Sequence, residues 1–341
     1  MAQIIPKNLI SVESHWQKEL SQAFSCPESL LRYLEIPSEF LQQDIQARRL
    51  FPMRVPKAFA DRMVKGMLDD PLLQQVLPRK EEFLEAPGFT ADPLDEHDTP
   101  LKGILHKYQS RVLLMVRTGC AVNCRYCFRR HFPYQDHGVN KAQWQEVLTY
   151  IVQNPQINEV IFSGGDPLMA KDEALSWLAQ EVAKIPHVHT LRIHTRLPVV
   201  IPNRICAELL NWVRNLDLNI VMVLHINHAN EIDDTLIAKL AELKQAGVWL
   251  YNQAVLMAGV NASIEAMVNL NQRLFEAQVQ PYYLHMLDRV KGAAHFAVSE
   301  QQAREIMAGV IKRQPGYLVP KLVREIGGQP GKTPVDLQLH P

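Results

Sequence analysis

The sequence lacks the features of a membrane protein and of a general nucleic-acid binder. Its 341 residues contain no apolar run near the roughly 20 residues that span a bilayer, and its N-terminus is too polar for a secretory signal. Thirty-six Lys and Arg balance thirty-six Asp and Glu, with no long block of one sign, which excludes a binder of phosphate backbones. We expect a cytoplasmic protein that binds neither membranes nor nucleic acid.

Cysteine is also scarce. There are five, and three of them lie within eight residues of each other, which does not suit a secreted disulfide framework. By contrast, 47% of the residues are apolar, enough to bury one large core or a core with a smaller appendage. The sequence therefore predicts a folded, reduced protein.

The chain divides by pattern into three parts. Residues 1–100 carry helical patterns broken by prolines, which predicts an N-terminal helical extension. Residues 101–312 alternate short apolar runs with longer amphipathic segments, as repeated βα units do. Residues 313–341 form a short C-terminal segment. Six strands are predicted, at residues 111–116, 159–163, 190–195, 219–225, 248–253 and 281–287.

Unusual polar residues lie at or just after the carboxyl ends of these strands. In chain order they are the cysteine cluster, Gly164-Gly165-Asp166, Arg196, His225, Gln253 and Asp288. In barrel enzymes the active site is built from these strand ends, so six separate segments are expected to converge. Periodicity alone does not distinguish a doubly wound α/β sheet from a barrel, but this placement favours an incomplete six-stranded barrel.

The cysteines Cys120, Cys124 and Cys127 lie in one loop after the first strand. Three thiolates can bind three irons of a [4Fe-4S] cluster and leave the fourth iron open to another ligand. A structural zinc site is the alternative, but it usually takes four protein ligands in two separated pairs. The spacing favours the cluster, and a zinc-binding interaction module without catalytic activity remains the non-enzyme alternative.

A glycine-rich turn at residues 327–334 contains Lys332. A phosphate-binding P-loop would need glycine where the chain has Ile326, and Pro334 opposes the helix that should follow. A lysine among small residues can instead form a Schiff base with a planar aldehyde cofactor. Because Arg111 on the first strand could bind a phosphate, the combination suggests pyridoxal 5′-phosphate (PLP).

The cysteine loop resembles the radical S-adenosylmethionine (SAM) superfamily, whose CxxxCxxC motif binds a [4Fe-4S] cluster with SAM on its open iron. This resemblance implies a partial (β/α)6 barrel, in agreement with the predicted strands. It also implies that Gly164, Gly165 and Asp166 correspond to the superfamily's GGE-like segment, which contacts the methionyl amine of SAM. Here Asp166 stands in place of the usual Glu.

From about residue 92 to residue 335 the chain resembles, more specifically, the lysine 2,3-aminomutase family. The turn at residues 327–334 matches the family's PLP-bearing turn, which implies that Lys332 is the Schiff-base residue. The resemblance further implies that Arg111 binds the PLP phosphate, together with Lys107, where the family has Arg.

Other matching segments imply the remaining contacts. His225 is implied as a SAM contact and Gln253 as a PLP contact. Arg129 is implied to bind the substrate carboxylate, and Asp288 the ε-ammonium of lysine. A second lysine-binding Asp of the family falls on Glu325, which keeps the charge but adds a methylene. The C-terminal cysteine-bearing extension of longer family members has no counterpart here, so their zinc site is not expected.

The resemblance implies a radical isomerase that converts L-α-lysine to β-lysine by 2,3-amino migration. In its shorter length and its N-terminus, the chain resembles family members that supply (R)-β-lysine for the modification of a lysine on bacterial elongation factor P. This implies a functional link to that factor and its lysyl-transferring ligase, and an electron donor such as flavodoxin or ferredoxin. Alternatives are an aminomutase for another amino acid or for free-lysine metabolism, and a radical enzyme without PLP.

Overall fold

The computed structural model describes residues 15–37, 52–96, 101–133 and 138–339. In the first two ranges the α-helices are short: α1 (His15–Ser21), α2 (Pro27–Tyr33) and α3 (Lys57–Ala60). Prolines explain two of the helix starts, because Pro27 opens α2 and Pro56 directly precedes α3. The predicted helical extension is thus helical in short pieces, and its residues 1–14, 38–51 and 97–100 lie outside the described residues.

One sheet of nine strands runs through the described part of the chain, in chain order from edge to edge. The strands are β1 (Ile104–Tyr108), β2 (Arg111–Arg117), β3 (Glu159–Gly164), β4 (Thr190–Thr195), β5 (Asn219–Leu224), β6 (Trp249–Val255), β7 (Gln280–His285), β8 (Lys321–Arg324) and β9 (Thr333–Pro334). Neighbours from β2 to β8 are parallel, whereas β1 and β9 pair antiparallel at the two edges. Among the described residues no ladder joins these edges, so the sheet is an incomplete barrel.

Helices connect the parallel strands. They are α4 (Lys141–Val152), α5 (Asp172–Ala183), α6 (Leu197–Val200), α7 (Ala207–Arg214), α8 (Asp234–Gln245), α9 (Ile264–Glu276) and α10 (Glu300–Arg313). Four of them begin at a polar side chain that accepts a hydrogen bond from an N–H of the first turn: Asn140, Asp233, Ser263 and Ser299. None of the described helices is both long and apolar enough to cross a bilayer.

Four apolar residues at helical spacing on one face of α4 are buried. Its members are Trp144, Val147, Leu148 and Ile151. They belong to one large core that also contains Trp16, Leu30 and Phe59 from the N-terminal helices. Because each fully buried side chain of this size contributes about 1.5–3 kcal/mol, the N-terminal segment and the barrel stabilise each other.

The α/β class and the incomplete barrel are confirmed. The six predicted strands correspond to β2–β7, with ends that differ by two residues at most. The parallel set has one strand more, β8, because the apolar run near residue 322 pairs with β7, Leu322 opposite Leu284. Since the N-terminal segment shares the barrel core and the C-terminal segment adds β8 and β9, the three-part division stays a prediction.

Candidate active site

One cavity of about 390 Å³ is lined by residues that lie in the strands of the barrel or in the segments after them, and by Leu94 and Glu96 ahead of β1. All fourteen residues that the sequence predicts for the site line this cavity. They are Lys107, Arg111, Cys120, Cys124, Cys127, Arg129, Gly164, Gly165, Asp166, His225, Gln253, Asp288, Glu325 and Lys332. The structure therefore brings together residues that are up to 225 positions apart, from Lys107 to Lys332, and their separate roles stay predictions.

The three cysteines face the cavity from the loop after β2. Burial, followed by repulsion between the neighbouring thiolates, raises the pKa of Cys120 well above its usual range and that of Cys127 to about 11. Among the described residues no three His, Cys, Asp or Glu side chains could hold one metal ion together. A [4Fe-4S] cluster bound at these cysteines would supply the positive charge that the thiolates need.

The N-terminal segment holds the cysteine loop in place. The Arg54 guanidinium donates a hydrogen bond to the Cys120 carbonyl at 2.9 Å, and the Arg125 amide donates to the Gln75 carbonyl at 2.9 Å. Arg125, between two of the cysteines, turns its side chain into the interior and pairs with the buried carboxylate of Glu82 at 2.9 Å. These contacts are not predictable from the sequence, because nothing in the local pattern links residues 54–82 to the loop.

Gly164 and Gly165 are required by close packing of two backbone segments. Gly164 has φ +117°, and a Cβ atom there would lie 2.2 Å from the Arg117 carbonyl oxygen. A Cβ atom on Gly165 would lie 2.6 Å from the Gly119 carbonyl oxygen. The pair therefore places the end of β3 directly against the residues that lead into the cysteine loop.

Asp166 is buried, and its carboxylate is fully engaged inside the protein. Oδ1 accepts hydrogen bonds from the Leu168 amide and the Thr195 hydroxyl, and Oδ2 accepts from the amides of Arg196 and Leu197. These four contacts, all at 2.8–3.0 Å, join the end of β3 to the end of β4. The structure gives Asp166 this joining role, and its direct contact to SAM stays a prediction.

Three histidines line the cavity, one in β4, one directly after β5 and one in β7. Burial, together with nearby cations, lowers the pKa of His225 to about 3 and the pKa values of His194 and His285 well below the usual range, so all three rings are neutral at physiological pH. The Gln253 amide lies 3.2 Å from His225 Nε2. Among the described residues, Nε2 of His194 and of His285 has no hydrogen-bond partner, which is the pattern expected of donors or acceptors that meet a ligand.

Arg129 and Lys107 share one carboxylate that sequence analysis missed. Glu96 contacts Arg129 Nε at 2.6 Å, Arg129 Nη2 at 3.1 Å and Lys107 Nζ at 2.9 Å. Glu96 is buried, and its two cationic partners overcome the desolvation that opposes ionisation, so its pKa is lowered. The residue lies in an acidic, proline-containing stretch whose spacing gave no sign of a site.

Arg111 and Asp288 are different, because among the described residues neither forms an ion pair. The Arg111 guanidinium stacks 4.1 Å from the centre of the Tyr108 ring, and no described carboxylate pairs with it. No side-chain hydrogen bond to Asp288 is present among the described residues. Burial raises the pKa of Asp288 to about 7, against the lowering effect of the nearby Lys332.

Lys332 and Glu325 form an ion pair at the same end of the cavity. The Glu325 carboxylate accepts hydrogen bonds from Lys332 Nζ through Oε2 and from the Tyr108 hydroxyl through Oε1. Strand β9 begins directly after Lys332 and pairs with β8, which ends directly before Glu325. This short hairpin explains how a turn near the C-terminus brings its lysine to the site.

Known proteins resemble the chain over its whole length. The model of the radical SAM superfamily matches residues 115–270. A protein named L-lysine 2,3-aminomutase from Escherichia coli (strain K12) is 52% identical over 341 residues, 100% of this chain and 99% of that protein. The chain belongs to the L-lysine 2,3-aminomutase family. The protein of that name from Haemophilus influenzae is 48% identical over 97% of this chain and 98% of its own length. The one from Clostridium subterminale is 33% identical over 94% of this chain and 77% of its own length.

As a member of the L-lysine 2,3-aminomutase family, the chain is a radical isomerase that uses a [4Fe-4S] cluster, SAM and PLP. The zinc-binding interaction module and the radical enzyme without PLP are thereby excluded. The cavity fits these groups, because it combines three thiols with an uncompensated arginine, a lysine and two histidine nitrogens that lack partners among the described residues.

Proposed function

We propose that this chain converts L-α-lysine to (R)-β-lysine by 2,3-amino migration, and that the product supplies the modification of a lysine on bacterial elongation factor P. Lysine is the substrate in the names of the relatives. The observation that carries the proposal is the pair of uncompensated, opposite charges in the cavity, Arg111 and Asp288. PLP and lysine together bring a phosphate and an ammonium, which match these two charges.

The other charged side chains of the cavity are already compensated. Six cations line it, namely Lys107, Arg111, Arg129, Arg192, Arg196 and Lys332, together with four carboxylates, namely Glu96, Asp166, Asp288 and Glu325. Glu96 pairs with Lys107 and Arg129, Glu325 pairs with Lys332, and the carboxylates Glu159 and Glu231 pair with Arg192 and Arg196. Asp166 is satisfied by the four hydrogen bonds described above.

In this arrangement Asp288 holds the ε-ammonium of lysine, because a buried ammonium requires a carboxylate. Glu325 offers a second carboxylate beside it, once Lys332 is engaged by PLP. Arg129, held by Glu96, binds the substrate carboxylate through its guanidinium. The substrate would thus be held at both ends.

Arg111 binds the PLP phosphate, and Lys332 holds the PLP aldehyde carbon through its amine. Cys120, Cys124 and Cys127 hold the cluster, while the Gly164-Gly165 backbone and His225 contact SAM. When bound, these groups supply the radical and the electron-accepting ring that the migration needs. The protein contributes orientation, neutral histidines and a cavity shielded from bulk water.

The test is turnover of free L-lysine by the anaerobically reconstituted enzyme with SAM, PLP and a low-potential reductant. We expect β-lysine, with the R enantiomer identified by chiral chromatography. Lys332→Arg should lose both activity and the PLP adduct trapped by borohydride, whereas Lys321→Arg on the exposed edge of β8 should keep both. Turnover of ornithine or glutamate in preference to lysine would contradict the substrate assignment.

The link to elongation factor P is tested in cells. Intact-mass analysis of elongation factor P from a strain without this enzyme should show loss of the β-lysyl group, restored by added (R)-β-lysine. Unchanged modification would contradict the biological role and would point to free-lysine metabolism. Incubation of the enzyme with elongation factor P that carries α-lysine distinguishes free from protein-attached lysine as the substrate.

A further inference from the structure

Arg196 makes a close polar contact to a cysteine sulfur in the proposed cluster loop. It directly follows β4 and is buried, with 6% of its surface exposed. Its Nη1 group donates hydrogen bonds to Cys124 Sγ at 2.8 Å and to the Tyr126 hydroxyl at 2.5 Å. The cation thus lies beside one of the three sulfurs.

The opposite side of the guanidinium is held rigidly. The Arg196 Nη2 group donates to Glu231 Oε2 at 2.9 Å and to Gln75 Oε1 at 2.8 Å. Glu231 is fully buried, and its other oxygen accepts hydrogen bonds from the Asn227 and His228 amides at 2.9 and 3.1 Å. A side chain fixed by so many contacts contributes a charge at a defined position, without a cost for reorganisation.

We propose that Arg196 raises the reduction potential of the iron–sulfur cluster through its hydrogen bond to the Cys124 sulfur, and that Glu231 moderates this effect. The inference depends on the proposed assignment of the three cysteines as cluster ligands. Reduction adds one electron from a low-potential donor to the cluster, which makes the cluster and its thiolates more negative. A cationic donor at 2.8 Å from a ligand sulfur stabilises that state more than the oxidised one.

Arg196 is better suited to this role than to binding a substrate anion. Its two terminal nitrogens donate to four protein partners, whereas Arg111 has no carboxylate partner among the described residues. Tyr126 supports the arrangement, because its hydroxyl also accepts a hydrogen bond from the Asn227 side-chain amide at 2.6 Å. The network would therefore act on the sulfur of Cys124 and not on a ligand that comes and goes.

The experiment is a redox titration of the reconstituted cluster, followed by electron paramagnetic resonance of the reduced form, without SAM or lysine. Arg196→Gln removes the positive charge and Arg196→Lys keeps it. At a fixed solution potential we expect the ratio of reduced to oxidised cluster to fall about tenfold in Arg196→Gln, as for the loss of one charge-assisted hydrogen bond. Arg196→Lys should recover most of this loss.

Glu231→Gln gives a shift of opposite sign, because it removes the negative charge that compensates Arg196. If Arg196→Gln does not fold, the double variant Arg196→Gln/Glu231→Gln replaces the buried ion pair by two amides, and its potential should lie between those of the single variants. Arg214 is exposed on α7, and Arg214→Gln removes the same charge as Arg196→Gln. This control variant should leave the potential unchanged.

Two results separate this inference from the assignment of the ligands. If Cys124→Ala keeps the full content of iron and sulfide, the ligand assignment is wrong. If the cluster is intact but its potential is the same in the wild type, Arg196→Gln and Glu231→Gln, the ligand assignment holds and the role of Arg196 is overturned.

Discussion

The two halves of the cavity differ in how their charges are compensated. Around the cysteine loop the cations Arg125, Arg130 and Arg196 are paired with the buried carboxylates of Glu82 and Glu231. In the half that faces Lys332, Arg111 and Asp288 lack such partners among the described residues. In the first half the protein itself compensates these cations, whereas in the second half two charges remain for ligands to neutralise.

This difference is what the proposed roles of the two halves require. A cluster loop must hold its sulfurs at fixed positions whatever its oxidation state, so paired charges and hydrogen bonds that fix it are favourable. A site for PLP and an amino acid must exchange ligands, so some of its charges are left uncompensated at a cost in stability. The following predictions test that contrast, from the largest expected effect to the smallest.

Loss of a cluster ligand should have the largest effect. Cys120→Ala leaves two thiolates, too few for a stable three-ligand cluster, so we expect loss of the iron–sulfur absorbance near 400 nm and of all isomerase activity. Cys206→Ala, outside the cavity, is the matched control and should behave as the wild type. Retained activity in Cys120→Ala would remove the basis for treating this half as the cluster site.

Asp288→Asn should come next. Loss of the carboxylate that faces the ε-ammonium should raise KM for lysine by roughly 100-fold, in line with the cost of truncating one partner of a buried charge pair. Asp234→Asn, on the exposed face of α8, is the control. A KM within twofold of the wild type would show that Asp288 does not hold the substrate ammonium.

The same carboxylate predicts a dependence on pH. Because the pKa of Asp288 is raised to about 7, the wild-type KM for lysine should increase as the pH falls below 7, and the Asp288→Asn variant should lose this dependence. The folded-state pKa of Asp288 lies above the unfolded value near 3.9, so ionisation of Asp288 lowers the free energy of unfolding. This loss of stability is complete above pH 7 and absent below about pH 4. Urea unfolding at pH 8 should therefore show Asp288→Asn to be more stable than the wild type.

Prediction from the sequence was correct for the strands and for the convergence of local motifs on one cavity, whereas the roles of the motif residues remain predictions. The cysteine loop, the Gly164-Gly165 pair and the turn with Lys332 are local motifs, and periodicity located the strands β2–β7. It failed for side chains whose role depends on distant partners. Glu96 pairs with residues 11 and 33 positions away, and Glu231 lies 35 positions from Arg196.

Such partners are not visible in a single sequence, because no local spacing connects them. Glu82, which binds Arg125 and Arg130, lies in the part of the chain interpreted only as a helical extension. Its contribution follows from the tertiary packing of that segment against the cysteine loop. At Asp166 the local motif was visible but its protein contacts were not. The motif predicted a ligand contact, and the structure shows that the carboxylate already accepts hydrogen bonds from Thr195 and three amides.

Arg111→Gln should have a smaller effect than Asp288→Asn, because Lys107 lies in the same cavity and can support the phosphate. We expect the affinity for PLP to fall about tenfold, the effect of one lost charge-assisted contact. Titration of the protein with PLP, read from the absorbance of the bound cofactor, measures this without turnover. Arg313→Gln, on exposed α10, is the control, and an unchanged PLP affinity in Arg111→Gln would assign the phosphate to another cation.

Glu325→Asp should have the smallest effect, and it tests the shape of the substrate half. The Glu325 carboxylate contacts both Tyr108 and Lys332, and the shorter Asp side chain draws it back by one methylene. A longer substrate amine then fits better than a shorter one, so the ratio of kcat/KM for lysine to that for ornithine should rise roughly fivefold. An unchanged ratio would show that Glu325 does not select the substrate and would leave that role to Asp288, whereas a fall in the ratio would contradict the expected fit.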